Sequence, residues 1–332
     1  MRAVLLTGHG GYEYLSIRDD VPVPQPASDE VLIAVGAAAV NNTDINTRVG
    51  WYQGGGWTGS FQFPRIQGID ACGRIVAVGR DVATSRVGER VLVEPCWHSA
   101  NKPPTAVRFF GSEADGAFAE FAVVPSRYAH IIDSALSDCE LASFPCSYST
   151  AENMLTRAVV TAGDRVLITG ASGGVGSAAI QLAVARGAEV MAVAGLDKHG
   201  VLAALGTARL VGRDADIVDE FGADSFDVVI DVVGGDQWPS LLTVLRAGGR
   251  YATAGAIAGP DVALDLRTLY LKDLTLFGCT MLGTGVFDSL VHRIETGDVR
   301  PLVAKVLPLE EIVAAQELFL AKRHVGKIVL TV

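Results

Sequence analysis

The sequence predicts an α/β protein of two domains, one rich in β-strands and one built as a doubly wound parallel sheet. Three observations predict it. The chain has 332 residues, too many for a single ordinary core. Its first third consists of short β-like runs separated by turn residues. From about residue 138, strand and helix patterns alternate, and the strand patterns are apolar throughout, as a parallel sheet covered on both faces requires.

In the first third, "MRAVLL" reads as a first strand, its apolar run too short for a signal peptide. "EVLIAVGAAAV" (30–40), "GRIVAVG" (73–79) and "ERVLVEP" (89–95) are strands bounded by Gly, Pro or Asp. Residues 95–117 show no period and read as a long loop, after which "FAEFAVVP" (118–125) returns to strand. Further on, "RVLITG" (165–170) is a buried strand and "GVGSAAIQLAVARG" (174–187) a helix ended by Gly187. "EVMAVAG" (189–195), "ARLVGR" (208–213), "FDVVIDVVG" (226–234) and "GRYATAG" (249–255) continue the strands. "DKHGVLAALG" (197–206), "DADIVDEFG" (214–222) and "QWPSLLTVLRAG" (237–248) read as the helices between them. Two more helices follow at 286–297 and 309–323. A last strand, "GKIVLTV" (326–332), comes after the α/β run has ended and is expected to rejoin the first domain. The change of texture puts the β-rich domain at 1–130 and 280–332, and the parallel-sheet domain at 131–279.

Charge narrows the function. There are 27 lysines and arginines against 37 aspartates and glutamates, a net charge of −10, which excludes a nucleic-acid footprint. No apolar run reaches the ~18 residues of a membrane span. The five cysteines, Cys72, Cys96, Cys139, Cys146 and Cys279, contain no C-x-x-C pair. They read as free thiols in a reducing compartment, with a cytoplasmic location as the default.

The strongest local signal is "RVLITGASGGVGSAAIQLA". Ala171-x-Gly173-x-x-Gly176 stands where a strand passes into a helix, with dinucleotide spacing and Ala171 in place of the usual first glycine. Ser172, Gly173, Gly174 and Val175 lead into the helix, whose free N–H groups suit a pyrophosphate. Gly173 lets backbone approach the ligand, and Gly176 lets the helix pack close to the strand. NAD binders place an acid at the end of the second strand. Here that strand ends Ala194-Gly195-Leu196, with Lys198 and Arg213 nearby. A missing carboxylate with two cations favours a 2′-phosphate, hence NADP(H) over NAD(H). The alternative is that Asp197 caps the next helix and the two cations are solvated.

These motifs, with "AVNNTDINTRVG", "PRIQGIDACGRIVAVG", "DVVGG", "LYLKDLTLFG" and "HVGKIVLTV", resemble the medium-chain dehydrogenase/reductase superfamily. The resemblance is narrower to its zinc-independent quinone oxidoreductase and enoyl reductase branch. It spans nearly the whole chain. It implies a GroES-like catalytic domain formed by both chain ends around an inserted Rossmann domain, with a small-molecule substrate meeting the nicotinamide in a cleft. The zinc-dependent members carry metal ligands at positions that fall here on Asn41, Ile69 and Cys146, and one thiolate cannot hold Zn²⁺. Where those members carry a lobe of four cysteines, this chain offers Cys96 and His98. No zinc is expected, and Cys146 reads as a buried small hydrophobe.

By the same resemblance, Asn41 lies beside the nicotinamide, Thr43 replaces a proton-relaying hydroxyl, and Tyr52 stands near the substrate. Asp44 and Asp70 are supporting charges, paired with Arg48 or Arg65. The alternative for Thr43 and Asp44 is turn chemistry with local backbone. Trp51 and Trp57, around Gly54-Gly55-Gly56, read equally as a lid or as a surface loop. Further cofactor positions carried over are Val233, Gly234, Gly255, Ala256, Cys279, Thr280 and Met281. Lys327 matches a cation that reaches the pyrophosphate, the alternative being a surface lysine.

Without a Lewis acid, neutral donors such as Tyr52, Thr43 and Asn41 suit an acceptor that delocalises its own charge. A quinone or an α,β-unsaturated carbonyl compound does so. The expected activity is therefore NADPH-dependent hydride transfer to such an acceptor. The alternatives are an alcohol dehydrogenase-type oxidoreductase and a non-catalytic NADPH-binding sensor or structural protein. A short-chain dehydrogenase is rejected, since no tyrosine has a lysine four residues on. "LTLFGCTML" (274–282) would be an apolar sheet edge, and pairing across a two-fold axis predicts a homodimer.

Overall fold

The computed structural model describes residues 1–54, 61–98 and 106–332. The chain divides into two compact units, Met1–Cys146 with Pro301–Val332, and Ser147–Arg300. The borders drawn from texture mark where patterns change; these mark where packing changes.

The first unit is organised on a seven-stranded sheet. Its order is Ala129–Ile131, Arg90–Val93, Asp70–Val78, Glu30–Ala39, Lys327–Thr331 and Val303–Pro308, with Phe121–Pro125 also paired to Glu30–Ala39. The ten-residue Glu30–Ala39 strand is the spine, and its buried Val31, Ile33 and Val35 join Ile75, Val91, Phe118 and Ile328 in one core. The last strand does rejoin this unit, running antiparallel to the spine with Val329 opposite Ala39. Val303–Pro308 lies parallel beside it and was not foreseen, because an edge strand with exposed Ala304, Lys305 and Val306 carries no apolar signature. The expected 95–117 loop is corrected in part. Cys96–His98 and Val107–Phe109 pair as an antiparallel ribbon, three residues each being too few to show a period. The polar stretch after Val40 is also more regular than its composition suggests. It forms helix α1 (Asn42–Val49), stopped by Gly50 in the left-handed region at φ 75°.

The second unit is a six-stranded sheet, its strands numbered β1 (Arg165–Ile168), β2 (Glu189–Val193), β3 (Arg209–Val211), β4 (Phe226–Asp231), β5 (Leu245–Thr253) and β6 (Thr275–Gly278). The order is β3-β2-β1-β4-β5-β6 with every pairing parallel, which is the Rossmann arrangement. Val166, Leu167 and Ile168 of β1 are wholly buried, as strands with helices on both faces must be. Helix α2 (Gly174–Ala185) follows β1 and is buried from Gly176 through Ala183. The expected helix at 237–248 is shorter. It ends at Thr243, and Leu245 already pairs with Phe226 in β5, the register slipping before Arg250 meets Val228.

The chain enters this unit at Ser147 and leaves it at Arg300, and both places are tied to α2. The Gln181 side chain accepts the Arg300 N–H (2.9 Å) and donates to the Tyr148 hydroxyl (2.8 Å) and the Arg300 carbonyl (3.2 Å). The Tyr148 hydroxyl donates to that carbonyl as well (2.8 Å). Among the described residues, no helix is long and apolar enough to cross a membrane.

Candidate functional site

The two units each present a constellation of polar groups, and they are built differently. In the first unit the constellation is buried and consists of side chains. Asp70, the first residue of its strand and 0% exposed, accepts the Cys146 N–H on one oxygen (2.6 Å). Its other oxygen takes the Lys327 ammonium and the Asn41 amide N–H, each at 2.8 Å. Lys327 also donates to Asn41 Oδ1. The remaining Asn41 amide hydrogen goes to the Ala39 carbonyl (3.2 Å). An ammonium can only donate and a carboxylate only accepts, so the orientation of the Asn41 amide is fixed by its neighbours.

Asp44 belongs to the same region in another capacity. It is the third residue of α1 and caps it, accepting the Asn41 N–H (2.8 Å). Its second oxygen accepts the Gly68 and Ile69 N–H groups at 3.2 and 3.3 Å, and its carbonyl takes the Gln67 amide at 2.7 Å. Asp44 thus joins the start of α1 to the 67–69 turn. Burial pushes its carboxyl up to about 7, with Asp70 adding to the shift against the opposing N–H groups. These three N–H contacts are turn chemistry of the kind weighed for Asp44.

Thr43 and Tyr52 sit at the more open side of this cluster. The Thr43 hydroxyl is near enough to the Tyr52 hydroxyl and the Cys146 thiol to oppose, in part, the effect of burial on both. Tyr52 also receives a long bond from the Asn46 amide (3.5 Å). Burial raises the Tyr52 phenol above its ordinary value, so it stays protonated and able to donate at neutral pH. Cys146 is half-buried rather than enclosed, and burial, then Asp70, pushes its thiol up to about 12.

Several expectations are corrected here. Asp44 and Asp70 do not pair with Arg48 or Arg65. Arg48 donates to Gln316 (3.0 Å) and the Gly10 carbonyl (2.6 Å), and Arg65 pairs with Asp115 (2.7 Å). Lys327 is no surface lysine: it is 2% exposed and engaged with Asp70 and Asn41. Asn41 is not an available donor, since both its amide hydrogens are used internally. Trp57 and the Gly55-Gly56 pair lie outside the described residues, while Trp51 is 46% exposed.

The donor set around 41, 69 and 146 does not fit a divalent metal. Ile69 has no ligating atom, Asn41 Oδ1 faces an ammonium, and the thiol is held protonated. Among the described residues, no group of three or more His, Cys, Asp or Glu could hold a metal ion.

In the second unit the constellation is made of backbone at the carboxyl ends of the strands, where β1 and β4 are neighbours and the strand order reverses. The residues fit a dinucleotide. A Cβ on Gly176 would lie 2.4 Å from the Gly170 carbonyl, so α2 packs against the turn as only glycine permits. Gly173 is exposed and precedes the helix, and a Cβ there would meet the Gly170 carbonyl at 3.5 Å, while Ser172, Gly174 and Val175 are half-buried beside it and Ala171 is enclosed. The Val233–Gly234 turn and the Gly255–Ala256 turn come together: Ala258 donates to the Val233 carbonyl (2.8 Å), and Gly234 bridges to Gly259. Cys279 donates to Thr253 (2.8 Å) at the ends of β5 and β6, with exposed Thr280 and half-buried Met281 following. Lys198 and Arg213 meet at the ends of β2 and β3. Burial depresses the Lys198 ammonium, with Asp197 opposing and Arg213 reinforcing the shift. Arg213 is exposed, and one of its nitrogens lies 3.0 Å from where a Gly195 Cβ would stand.

Three functional-looking side chains escaped the sequence reading. Asp231, wholly buried, takes the Val233 (2.9 Å) and Gly234 (3.1 Å) N–H groups. The Asn153 amide spans Met281 and Gly283 at 3.0 and 3.2 Å. Gln181 ties the chain crossings. Asp231, directly before "VVGG", offered a signal: an acid directly after the apolar run Val228–Ile230. Asn153 and Gln181 offered none.

Residues 174–296 match the zinc-binding dehydrogenase family, and residues 27–134 match the alcohol dehydrogenase GroES-like domain. The chain is 32% identical to the acryloyl-coenzyme A reductase of Metallosphaera sedula, covering 100% of both. It is 30% identical to the quinone oxidoreductase of Lama guanicoe, over 99% of this chain and 97% of that one. A Sinorhizobium meliloti protein provisionally named an alcohol dehydrogenase has a similar structure, with a TM-score of 0.94 at 46% identity, covering 100% of this chain and 96% of that one. A 2-octenoyl-CoA carboxylase reductase in complex with NADP and 2-octenoyl-CoA gives a TM-score of 0.89 at 26% identity, covering 99% of this chain and 87% of that one. The chain therefore belongs to the medium-chain dehydrogenase/reductase superfamily of oxidoreductases.

Proposed function

We propose that the protein reduces a quinone or an α,β-unsaturated carbonyl compound with NADPH, without a metal at positions 41, 69 and 146. The observation that carries this reading is the Lys327 ammonium bonded to Asn41 and Asp70, on the ground the metal would need. Relatives named for acryloyl-coenzyme A and for quinones support the acceptor class, and the neighbour holding NADP supports the cofactor.

When bound, the nicotinamide supplies a hydride from C4. The second unit holds the nucleotide, with the N-terminus of α2 on the pyrophosphate and Lys198 with Arg213 on a 2′-phosphate. In the first unit, Tyr52 and Thr43 are the donors to the acceptor oxygen, and solvent or Tyr52 supplies the proton. Asn41 orients rather than donates, and Lys327 holds Asn41 instead of reaching a phosphate. Neutral hydroxyls are weak electrophiles, with a tyrosine pKa ordinarily about 10. They suffice for an oxyanion whose charge is spread by conjugation, and not for a plain alkoxide.

A cofactor-oxidation screen tests this. NADPH and NADH are offered with quinones, 2-alkenals and enoyl thioesters, simple alcohols are run in the oxidative direction, and metal is measured on the same sample. Turnover of conjugated acceptors by metal-free protein is expected. Chelator-sensitive oxidation of simple alcohols would instead support the second reading, an alcohol dehydrogenase, which the Sinorhizobium meliloti neighbour favours.

We infer, too, that two copies pair along β6. It is an edge strand, and Leu266, Tyr270 and Leu271 just before it are more than 60% exposed. A monomeric mass by light scattering at micromolar concentration would contradict this.

A further inference from the structure

We infer that the buried carboxylate of Asp231 stabilises the positive charge a nicotinamide ring acquires on giving up hydride, so that the second unit favours oxidised over reduced nucleotide. The inference rests on the proposed nicotinamide reading and assigns Asp231 a role beyond shaping a turn.

Asp231 is the last residue of β4, at the strand ends where the sheet order reverses. Each half of such a sheet takes one half of the dinucleotide. The ribose that distinguishes NAD from NADP sits at the end of β2, so the adenosine half lies over β1–β3 and the nicotinamide half over β4–β6. Asp231 is thus on the nicotinamide side.

It meets hydrogen-bond donors but no cation. One oxygen accepts the Thr169 hydroxyl and the Val233 N–H (2.9 Å); the other accepts the Tyr251 hydroxyl (2.5 Å) and the Gly234 N–H (3.1 Å). The Thr169 oxygen itself accepts the Val232 N–H (3.3 Å), which leaves its hydrogen for Asp231. Four donors on four lone-pair sites describe an ionised carboxylate. Every one of those donors is neutral, and no lysine, arginine or histidine among the described residues forms an ion pair with it. At 0% exposure, little water screens the charge. Burial, followed by Asp231, holds the Tyr251 phenol above its ordinary value, so it stays a donor to the carboxylate.

The reaction has a matching change of charge. The C4–H bond breaks with both electrons, the hydride bonds to the acceptor carbon, and the neutral ring becomes singly positive. The acceptor carries the negative charge until it takes a proton. A fixed anion at the strand ends of that half of the sheet would stabilise the product side of that step on the nucleotide.

A merely structural role would weaken both nucleotides alike, and a charge role would not. The test is the ratio of dissociation constants, Kd(NADP⁺)/Kd(NADPH), measured by calorimetry at fixed salt on the full chain. Asp231→Asn is expected to raise the ratio about tenfold, the order of effect of removing one poorly screened charge. Tyr251→Phe removes a donor that offsets the carboxylate and is expected to lower the ratio instead. Equal changes for both nucleotides in Asp231→Asn would overturn the inference. If that variant fails to fold, Tyr251→Phe decides: a lower ratio supports the inference and an unchanged one overturns it. A wild-type protein that binds neither nucleotide would overturn the proposed function itself, and this inference with it.

Discussion

The two constellations solve opposite problems with opposite materials. In the second unit the site is backbone: a glycine turn, the first N–H groups of a helix, and loops at strand ends. Each of its parts is a short local segment that needs little more than a missing side chain. In the first unit the site is chiefly side chains. Asn41, Asp70 and Lys327 lie 29, 257 and 286 positions apart by pairs, and they meet because the Glu30–Ala39 strand is flanked by the last strand on one side and the strand that begins at Asp70 on the other. A backbone site spreads its tolerance over many atoms. A side-chain site concentrates it, so that one substitution can undo the arrangement.

The sharpest way to break that contrast is Lys327→Met. It leaves Asp70 charged, buried and unpaired, which costs about 3–5 kcal/mol in such pairs. Urea unfolding should show the loss, and Asp70→Asn with Lys327→Met should recover part of it. A loss under about 1 kcal/mol would mean that the cluster is as forgiving as the glycine loop. Next comes a dependence on pH. Asp44 binds its proton more tightly folded, at about 7, than unfolded, near 3.8. Stability it contributes is therefore fully present below the unfolded value and is lost as pH rises through the folded one. The linkage is worth up to about 4 kcal/mol. Thermal midpoints at pH 5 and 7.5 should differ in wild type and differ less in Asp44→Asn.

Tyr52→Phe addresses chemistry rather than stability. It should lower kcat for a conjugated acceptor roughly a hundredfold while moving the melting temperature little, since donors of this kind contribute on that scale. An unchanged kcat would leave Thr43 and solvent as the donors. The smallest effect belongs to the backbone-built site. Lys198→Ala should weaken NADPH roughly tenfold and NADH hardly at all, read by titration with both nucleotides. If NADH weakened equally, the cation would serve the fold and not the phosphate.

The same contrast explains what could be read in the sequence. The alternation of strands and helices, the glycine loop and the returning C-terminal strand were legible because each is a local pattern. The pairing of Asp70 with Lys327, in place of Arg48 or Arg65, was not. Many partners satisfy a carboxylate, and the sequence does not say which cation the sheet will bring beside it. The Asn41 amide shows the limit most clearly. Its place in the site could be named from its neighbours in sequence, yet whether its hydrogens were available depended on contacts with residues 39 and 70. Helix α1 was hidden for a related reason, since a short helix rich in Asn, Thr and Asp shows no apolar stripe.

The knot of hydrogen bonds around Gln181 has a consequence for how this chain loosens. One amide holds the hydroxyl one residue after the first passage and the peptide at the second, so neither passage can fray by itself. A protease nick near residue 147 would leave the chain at 300 still fastened, whereas loss of that single amide would leave only the Tyr148–Arg300 bond between the two passages.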